Sequence, residues 1–593
     1  ELSVVAGDRS LYGEVVARYK AAQIYEQASA DGSQAGLAIK KDYLRYEFRL
    51  SNVPAHARVQ LRFAYYQALA LDHGVGRYVY QLEEGGVDSD QASFWGANDV
   101  LEPGGTFSAN ITLRSAHEVT DVRLPGLDSI AEVTQHAPGR VEVSLATERN
   151  LDRDLVLYYR LVDDLPGRVE VIPYRASPEG EGTFMMVLTP GVDLAELTHG
   201  SDYVFVLDVS GSMATKRAAL TQAVAAALHS LRSEDRFRIV AFSDRAIELT
   251  YGFRPATEDE ISSARGALEG LQIDGGTNLH AGLSRGLTNL DAERASAVLL
   301  VTDGVANEGF VDGPSFVALL AERDVRLYGF LMGNSANWPL MQLLAEASGG
   351  FYAALSNDDD IAEQVMLARS KQTHAALHDF RVSFDGGGVH DLTHVARKAH
   401  KGDQVVVFGR YDAKASTSFR VDATITGRPV QYEGRVVFPE VDDANPELER
   451  LWAYASIQWL EYQSRMALID PTLAATKIRD LGLSYQLVTD ETSMVLLDEE
   501  TFAKFGIDPN NRKRAEDEER ARALREQGEP IDYRVAVDEA FTGGAATGGS
   551  QGPGSYGYYD DEGSGGGALG PQDAAIYSAL AGLFLALRRR RRA

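Results

Sequence analysis

Oxygen-bearing side chains recur at three separated places in this chain, and their types suit a hard cation better than a covalent mechanism. The first place is Asp208-Val209-Ser210-Gly211-Ser212, the second Asp274-Gly275-Gly276-Thr277-Asn278, and the third Thr302-Asp303-Gly304. A divalent ion such as Mg²⁺ takes about six oxygens in near-octahedral order at roughly 2.0 to 2.1 Å and keeps some of its waters. Asp208, Ser210, Ser212, Thr277 and Asp303 offer two carboxylates and three hydroxyls. Two carboxylates roughly neutralise the ion, while neutral hydroxyls leave it electrophilic enough to accept a carboxylate from a partner. Mg²⁺ fits this donor set best, with Ca²⁺ and Mn²⁺ as alternatives. Gly211, Gly276 and Gly304 are expected to let the three loops turn tightly enough to converge. The first loop alone could be no more than a helix N-cap, since Ser and Asp are favoured there for backbone reasons. Thr277 and Asp303 at the ends of neighbouring elements weigh against that simpler reading. A phosphate cradle is disfavoured because the loop has no Gly-Lys-Ser/Thr sequence.

The elements that must position these loops are legible from periodicity. From residue 202 the apolar runs YVFVLDV, RFRIVAFS, SAVLLVTDG and VRLYGFLMG alternate with helical text such as residues 214–231. Continuous apolar strands separated by helices predict a parallel sheet covered on both faces, so residues 202–369 read as a doubly wound α/β domain. Loops at the carboxyl edge of such a sheet are where open α/β folds bind ligands.

The chain has 593 residues, several times the size of one domain, so a multidomain protein is expected. Hydrophobic residues at 44% and charged residues at 24% exclude wholesale disorder, a collagen-like fibre and a polytopic membrane protein. The formal net charge of −28 repels phosphate backbones, which argues against nucleic acid as a partner. With 0 cysteines there is no disulfide, thiolate zinc site or thiol nucleophile. Residues 13–30 read as an amphipathic helix, period-two text dominates from Tyr43 to about Leu197 and returns over 380–438, and 446–468 reads as helix. Residues 510–527 mix both signs of charge and read as a solvated helix or a disordered spacer, and 542–567 as a flexible glycine-rich linker.

Asp208-Val209-Ser210-Gly211-Ser212, with Thr277 and Asp303 downstream, resembles the metal-ion-dependent adhesion site (MIDAS) of von Willebrand factor type A (VWA) domains. The resemblance implies that Ser210, Ser212 and Thr277 coordinate the ion directly or nearly so, and that Asp208 and Asp303 bind it directly or through water. Glu14, Ala17, Arg18, Tyr25-Glu26-Gln27-Ala28, Gly32, Ala35, Leu37 and Asn52-Val53-Pro54 look like the later part of a VIT domain. That module precedes the type A domain in inter-alpha-trypsin inhibitor heavy chains and bacterial relatives. Members carry additional strands before this helix and almost nothing precedes it here, so the VIT-like domain is expected to be truncated at its start. Residues 478–497 resemble the region after the type A domain in the same proteins and are expected to complete β-structure around that domain. No Asp-Pro-His segment occurs, so the covalent matrix attachment of the animal heavy chains is not implied.

The tail resembles a bacterial sorting signal of the GlyGly type: glycines, an apolar stretch over 574–587, then Arg588 to Arg592. As a helix the stretch spans about 21 Å, short of the roughly 30 Å hydrocarbon core, which suits a transient membrane segment processed by a protease. The arginines would stay cytoplasmic and place the preceding chain outside. His374 and His378 stand four apart, but without an acidic residue placed as in His-Glu-x-x-His they read as surface histidines. Tyr556, Tyr558 and Tyr559 read as part of the solvated linker.

The expected organisation is a β-rich VIT-like domain over 1–135, a β-rich connection over 136–200, the type A domain over 201–370, and a β-rich and helical region over 371–505. A charged and glycine-rich linker over 506–567 and a membrane or sorting tail over 568–593, with a C-terminal apolar helix, complete it. The expected function is metal-dependent adhesion or assembly, not catalysis, at the cell envelope or surface, anchored or released after processing. The partner is a protein or other ligand offering a carboxylate, with the membrane engaged through 574–587. The alternatives are a hydrolase using the same ion, with Glu308 or Asp274 as base, and a cytoplasmic chaperone-like partner of an ATPase.

Overall fold

The computed structural model describes residues 1–537 apart from 81–105, 191–199, 303–308, 333–337, 356–367 and shorter stretches, and beyond them residues 584–586. The apolar runs read from the sequence become the strands Asp202–Asp208, Arg236–Phe242, Ser296–Thr302 and Val325–Met332, joined by Phe351–Leu355. All pair in parallel, in the spatial order second, first, third, fourth, fifth, and the short antiparallel strand Ala246–Glu248 extends the edge beside the second. Every residue of the first and third strands is buried, because helices cover both faces. Leu220, Val224, Ile261 and Leu268 pack on one face, and Leu279, Leu283, Phe316 and Leu344 on the other. Strand order reverses between Asp202–Asp208 and Ser296–Thr302, which opens a crevice at their carboxyl ends.

Strand pairings cross the segment boundaries expected from the sequence. Gly182–Thr189, which precedes the α/β unit, pairs along its length with Val405–Tyr411, which follows it. Their sheet and the one holding Leu377–Phe384, Ala415–Ile425 and Arg428–Phe438 share one core around Phe184, Met186, Val407, Phe419 and Phe438. The α/β unit is therefore an insertion between strands of a β-sandwich. A second pair of four-stranded sheets shares a core around Tyr78, Ile111, Val143 and Leu157.

The N-terminal sheet corrects three expectations. Residues 13–17 are strand, not helix: Arg9–Ala17 precedes the helix Arg18–Ala30. The Val15-Val16 pair and Gly13, whose Cβ position would lie 2.3 Å from Met494 Sδ, suit a packed strand better than a helical turn. Two strands, Leu2–Ala6 and Arg9–Ala17, thus stand before the helix where almost nothing was expected. Their six-stranded sheet also contains Thr492–Leu497, set between Arg9–Ala17 and Gly36–Lys40 and antiparallel to both. The 478–497 text therefore completes the N-terminal sheet instead of bordering the α/β unit. Gln486 ends the helix Pro471–Tyr485 in a left-handed conformation (φ 58°), and its Oε1 accepts the Val15 N–H at 2.8 Å.

The charged segment forms the helix Asn510–Gln527, and it is neither solvated all round nor disordered. Glu14, buried in the neighbouring strand, accepts the N–H groups of Asn511 and Arg512 at 2.8 and 3.0 Å and so supplies the helix N-terminus with acceptors it cannot make itself. Burial pushes the Glu14 carboxyl above its ordinary range, against the pull of those N–H groups. Arg450 binds Glu518 at 2.7 Å and Asn511 Oδ1 at 2.9 Å, and Arg525 binds Glu447 at 2.9 Å. Polar side chains thus dock a helix that has almost nothing apolar to bury.

Of the apolar stretch 574–587, only Phe584–Ala586 lies among the described residues, and it is a strand hydrogen-bonded to the edge of Phe107–Arg114, not a helix. An open sheet edge offers three residues the hydrogen bonds that a lone helical turn would leave unmade. Among the described residues no helix is long and apolar enough to cross a membrane. Tyr556, Tyr558, Tyr559 and Arg588 to Arg592 lie outside the described residues. His378 lies in the strand Leu377–Phe384, so the four-residue spacing from His374, itself not described, does not place two imidazoles on one helical face.

Replacing Glu14 with Ala removes the acceptors at the start of Asn510–Gln527. The opening free energy of that helix should fall by about 0.5–2 kcal/mol. Native-state hydrogen exchange of the Asn511 and Arg512 amides and the turn after them reads this directly, and unchanged protection would contradict it.

Candidate metal centre

Asp208 ends the first parallel strand and is 0% exposed. Its Oδ1 accepts the N–H of Ser210 at 2.9 Å, and its Oδ2 accepts the hydroxyl of Thr302, at the end of the third strand, at 2.5 Å. One carboxylate therefore joins the two strands that flank the switch point.

Past Asp208 the backbone enters the short turn Gly211–Met213, with Ser210 as its N-cap residue but with no side-chain capping bond. The Ser210 hydroxyl, on a residue 1% exposed, lies 3.1 Å from the Ser212 hydroxyl, and Ser212 is exposed. The N-cap reading of this loop accordingly fails for Ser210: its oxygen faces a second hydroxyl instead of the turn's own amides.

The second loop is laced to the first. Gly211 donates its N–H to the Gly275 carbonyl at 3.1 Å, and Asp274 donates its N–H to the Val209 carbonyl at 3.0 Å. Thr277 follows at 4% exposure. Asn278 then caps the helix Leu279–Gly286, its Oδ1 accepting the Ala281 N–H at 3.0 Å. Asp208, Ser210, Ser212 and the Thr277 loop thus share one end of the sheet. Asp303 directly follows Thr302 but lies outside the described residues, as do Gly304 and Glu308. Asp274 accepts the N–H of Gly275 at 2.8 Å, so its carboxylate braces its own loop.

Sequence reasoning missed Asp244, just after the second strand. Its carboxylate accepts the N–H of Gly276, and the Ser243 carbonyl takes the N–H of Asn278 at 2.8 Å. The loop after the second strand therefore buttresses the Thr277 loop. The signal was present in Ser243-Asp244 at the end of RFRIVAFS, a strand end in the same sheet. Gly275 is the glycine this geometry requires: its φ is +90°, and a Cβ there would meet Asp244 Oδ1 at 2.7 Å. Gly211, by contrast, has its nearest neighbour to a Cβ at 3.7 Å, ordinary contact.

The donor set fits a hard divalent cation. Every candidate ligand atom is oxygen, and two hydroxyls already stand side by side. A second group, Glu181, His390 and Asp412, brings ligand atoms within 4.8 Å of one another. Its members are engaged in ion pairs, His390 with Asp391 and Asp412 at 3.1 Å each and Glu181 with Arg410 at 2.5 Å.

If the first cluster holds the ion, Asp208→Ala should abolish divalent-cation binding measured by titration calorimetry while the circular dichroism spectrum is retained. Asp244→Ala, which touches only the buttress, should weaken binding by roughly 10- to 100-fold. Undiminished binding by the Asp208 variant would contradict the assignment.

Residues 201–354 match the family model of the von Willebrand factor type A domain, and residues 1–65 match the Vault protein inter-alpha-trypsin (VIT) domain. Inter-alpha-trypsin inhibitor heavy chain H3 from Pongo abelii is 26% identical over 527 residues, covering 82% of this chain and 57% of that protein. The Homo sapiens H3 chain is 25% identical over 526 residues, covering 82% of this chain and 56% of that protein. The chain thus spans little more than half the length of these relatives. Among solved structures, a von Willebrand factor type A protein from Catenulispora acidiphila aligns with TM-score 0.37 and 15% identity, over 55% of this chain and 89% of that one. The chain carries a VIT domain followed by a von Willebrand factor type A domain, and it is homologous to inter-alpha-trypsin inhibitor heavy chains over 82% of its length.

Proposed function

We propose that this protein is an adhesion or assembly module of the cell surface that binds carboxylate-bearing partners through a divalent cation, Mg²⁺ by the donor chemistry. Asp208, Ser210, Ser212, Thr277 and Asp303 hold the ion. When bound, the cation supplies a coordination position that a partner's carboxylate takes in place of water. The observation that carries this reading is the Ser210 hydroxyl, which is buried, spared from capping and 3.1 Å from the exposed Ser212 hydroxyl. Asp208 anchors the loop from below, and Ser212 stands at the open mouth where a partner arrives.

Binding is preferred to turnover because the loops that meet here resemble an adhesion site, and the candidate base among the described residues, Asp274, already accepts the Gly275 N–H with Oδ1. The surface placement rests on the resemblance of the tail to a sorting signal. The net charge of −28 repels acidic partners at long range, but ions screen that repulsion beyond about 8 to 10 Å and leave short-range coordination in control.

A pulldown from outer-surface material tests the reading. Partner capture should disappear in chelator, return on adding Mg²⁺, and be absent for Asp208→Ala under all conditions. Capture that is indifferent to chelator and to the substitution would defeat it.

A further inference from the structure

With 0 cysteines the chain has no disulfide to tie its interleaved parts together. A different covalent tie is within reach at the amino edge of the type A sheet, opposite the candidate metal centre. Lys371 directly follows that domain, and its side chain is 8% exposed. Its Nζ lies 2.6 Å from Oδ2 of Asp72 and also contacts Oδ1 of Asp403. The two carboxylates are themselves 20% and 17% exposed.

The three residues come from three units. Asp72 ends the short strand Leu71–Asp72 in the sandwich cored by Tyr78 and Ile111. Asp403 lies two residues before Val405–Tyr411 in the sandwich cored by Phe184 and Val407. Phe351 and Arg326, at the starts of the last two parallel strands, set the lysine from the type A side. The Phe351 ring centroid is 5.0 Å from Nζ, and Arg326 donates to the Lys371 carbonyl at 3.0 Å.

Two partly buried carboxylates sharing one ammonium place one negative charge too many in a small volume. Burial and the charge of Asp403 push the Asp72 carboxyl up to about 6, against the pull of the Lys371 ammonium. Burial alone would lower Lys371, but the charges of Asp403 and Asp72 outweigh it and keep the ammonium protonated. The amine is therefore released only by handing its proton to a neighbour. A carboxyl shifted toward neutrality, an ammonium and a second carboxylate held in contact place these groups where an intramolecular condensation gains a large effective concentration.

We propose that Lys371 and Asp72 condense into an intramolecular amide, with Asp403 as the proton acceptor. The Asp403 carboxylate takes one proton from the Lys371 ammonium. The freed lone pair on Nζ attacks Cγ of the protonated Asp72 carboxyl, forming the C–N bond. The C–O bond to the carboxyl hydroxyl breaks, and that hydroxyl leaves as water with a second proton from Nζ. The third proton stays on the amide nitrogen, Asp403 ends protonated, and no oxidant or reductant is needed. The bond closes a loop from residue 72 to residue 371 and fastens the type A domain by its amino edge, leaving the carboxyl edge free. Unlike a disulfide, it survives reduction.

Intact-mass spectrometry of the denatured full chain tests this directly. The wild-type chain should be lighter than its sequence by one water, Lys371→Arg should recover the full mass, and Asp403→Ala should slow or abolish the loss. Proteolysis should yield a branched peptide joining the segments of Lys371 and Asp72. A wild-type chain at full sequence mass, with an ion pair only, overturns the proposal. So does a water loss that persists in Lys371→Arg, or a branch that joins Lys371 elsewhere.

Discussion

A single buried carboxylate organises the carboxyl end of the parallel sheet. Burying an ionised group is costly unless hydrogen bonds compensate it, and Asp208 meets that demand with the Ser210 amide on one oxygen and the Thr302 hydroxyl on the other. Those two bonds fix the first loop against the end of the third strand. Backbone bonds from Gly211 and Asp274 then fix the Thr277 loop against the first. Asp244 closes the set from the second strand. Loop convergence at the switch point is thus a hydrogen-bond requirement of Asp208 and its neighbours, already met by the chain's own groups.

The rest of the chain holds this unit from the opposite side. Because Gly182–Thr189 pairs with Val405–Tyr411, both ends of the type A domain return to one sandwich. The N-terminal sheet has a similar dependence, since Thr492–Leu497 sits between its second and third strands. Leu496 and Val495, both fully buried, contribute to the two faces of that sheet. Pairings this distant in sequence close slowly, because chain entropy is lost before the contacts reward it. They also mean that the amino-terminal module reaches its full sheet only once residue 497 is in place.

Legibility in the sequence followed locality. Period and apolar run length disclosed the parallel strands, because a strand buried on both faces must be apolar throughout. The loop residues Asp208, Ser210 and Ser212 were readable as a set because they are close in sequence. Residues 13–17 misled because Gly13 and Glu14 are dictated by a strand and a helix nearly 500 residues away. Glu14 is buried to serve the amides of Asn511 and Arg512, a reason that no local window contains. The helix Asn510–Gln527 looked solvated for the same cause: its partners are Arg450, Glu447 and Glu14, all distant. Asp244 and Gly275 define the support of the Thr277 loop through contact with each other, and a contact between loops has no period to read.

The most direct measurement is anomalous scattering from crystals grown with Mn²⁺, which locates the ion without relying on any ligand. The account predicts one strong peak within coordination range of Ser210, Ser212 and Thr277, with Asp208 and Asp303 bound to it directly or through water. A crystal with no peak at these loops, or with its peak at Glu181, His390 and Asp412 instead, would contradict the claim on which the binding function rests.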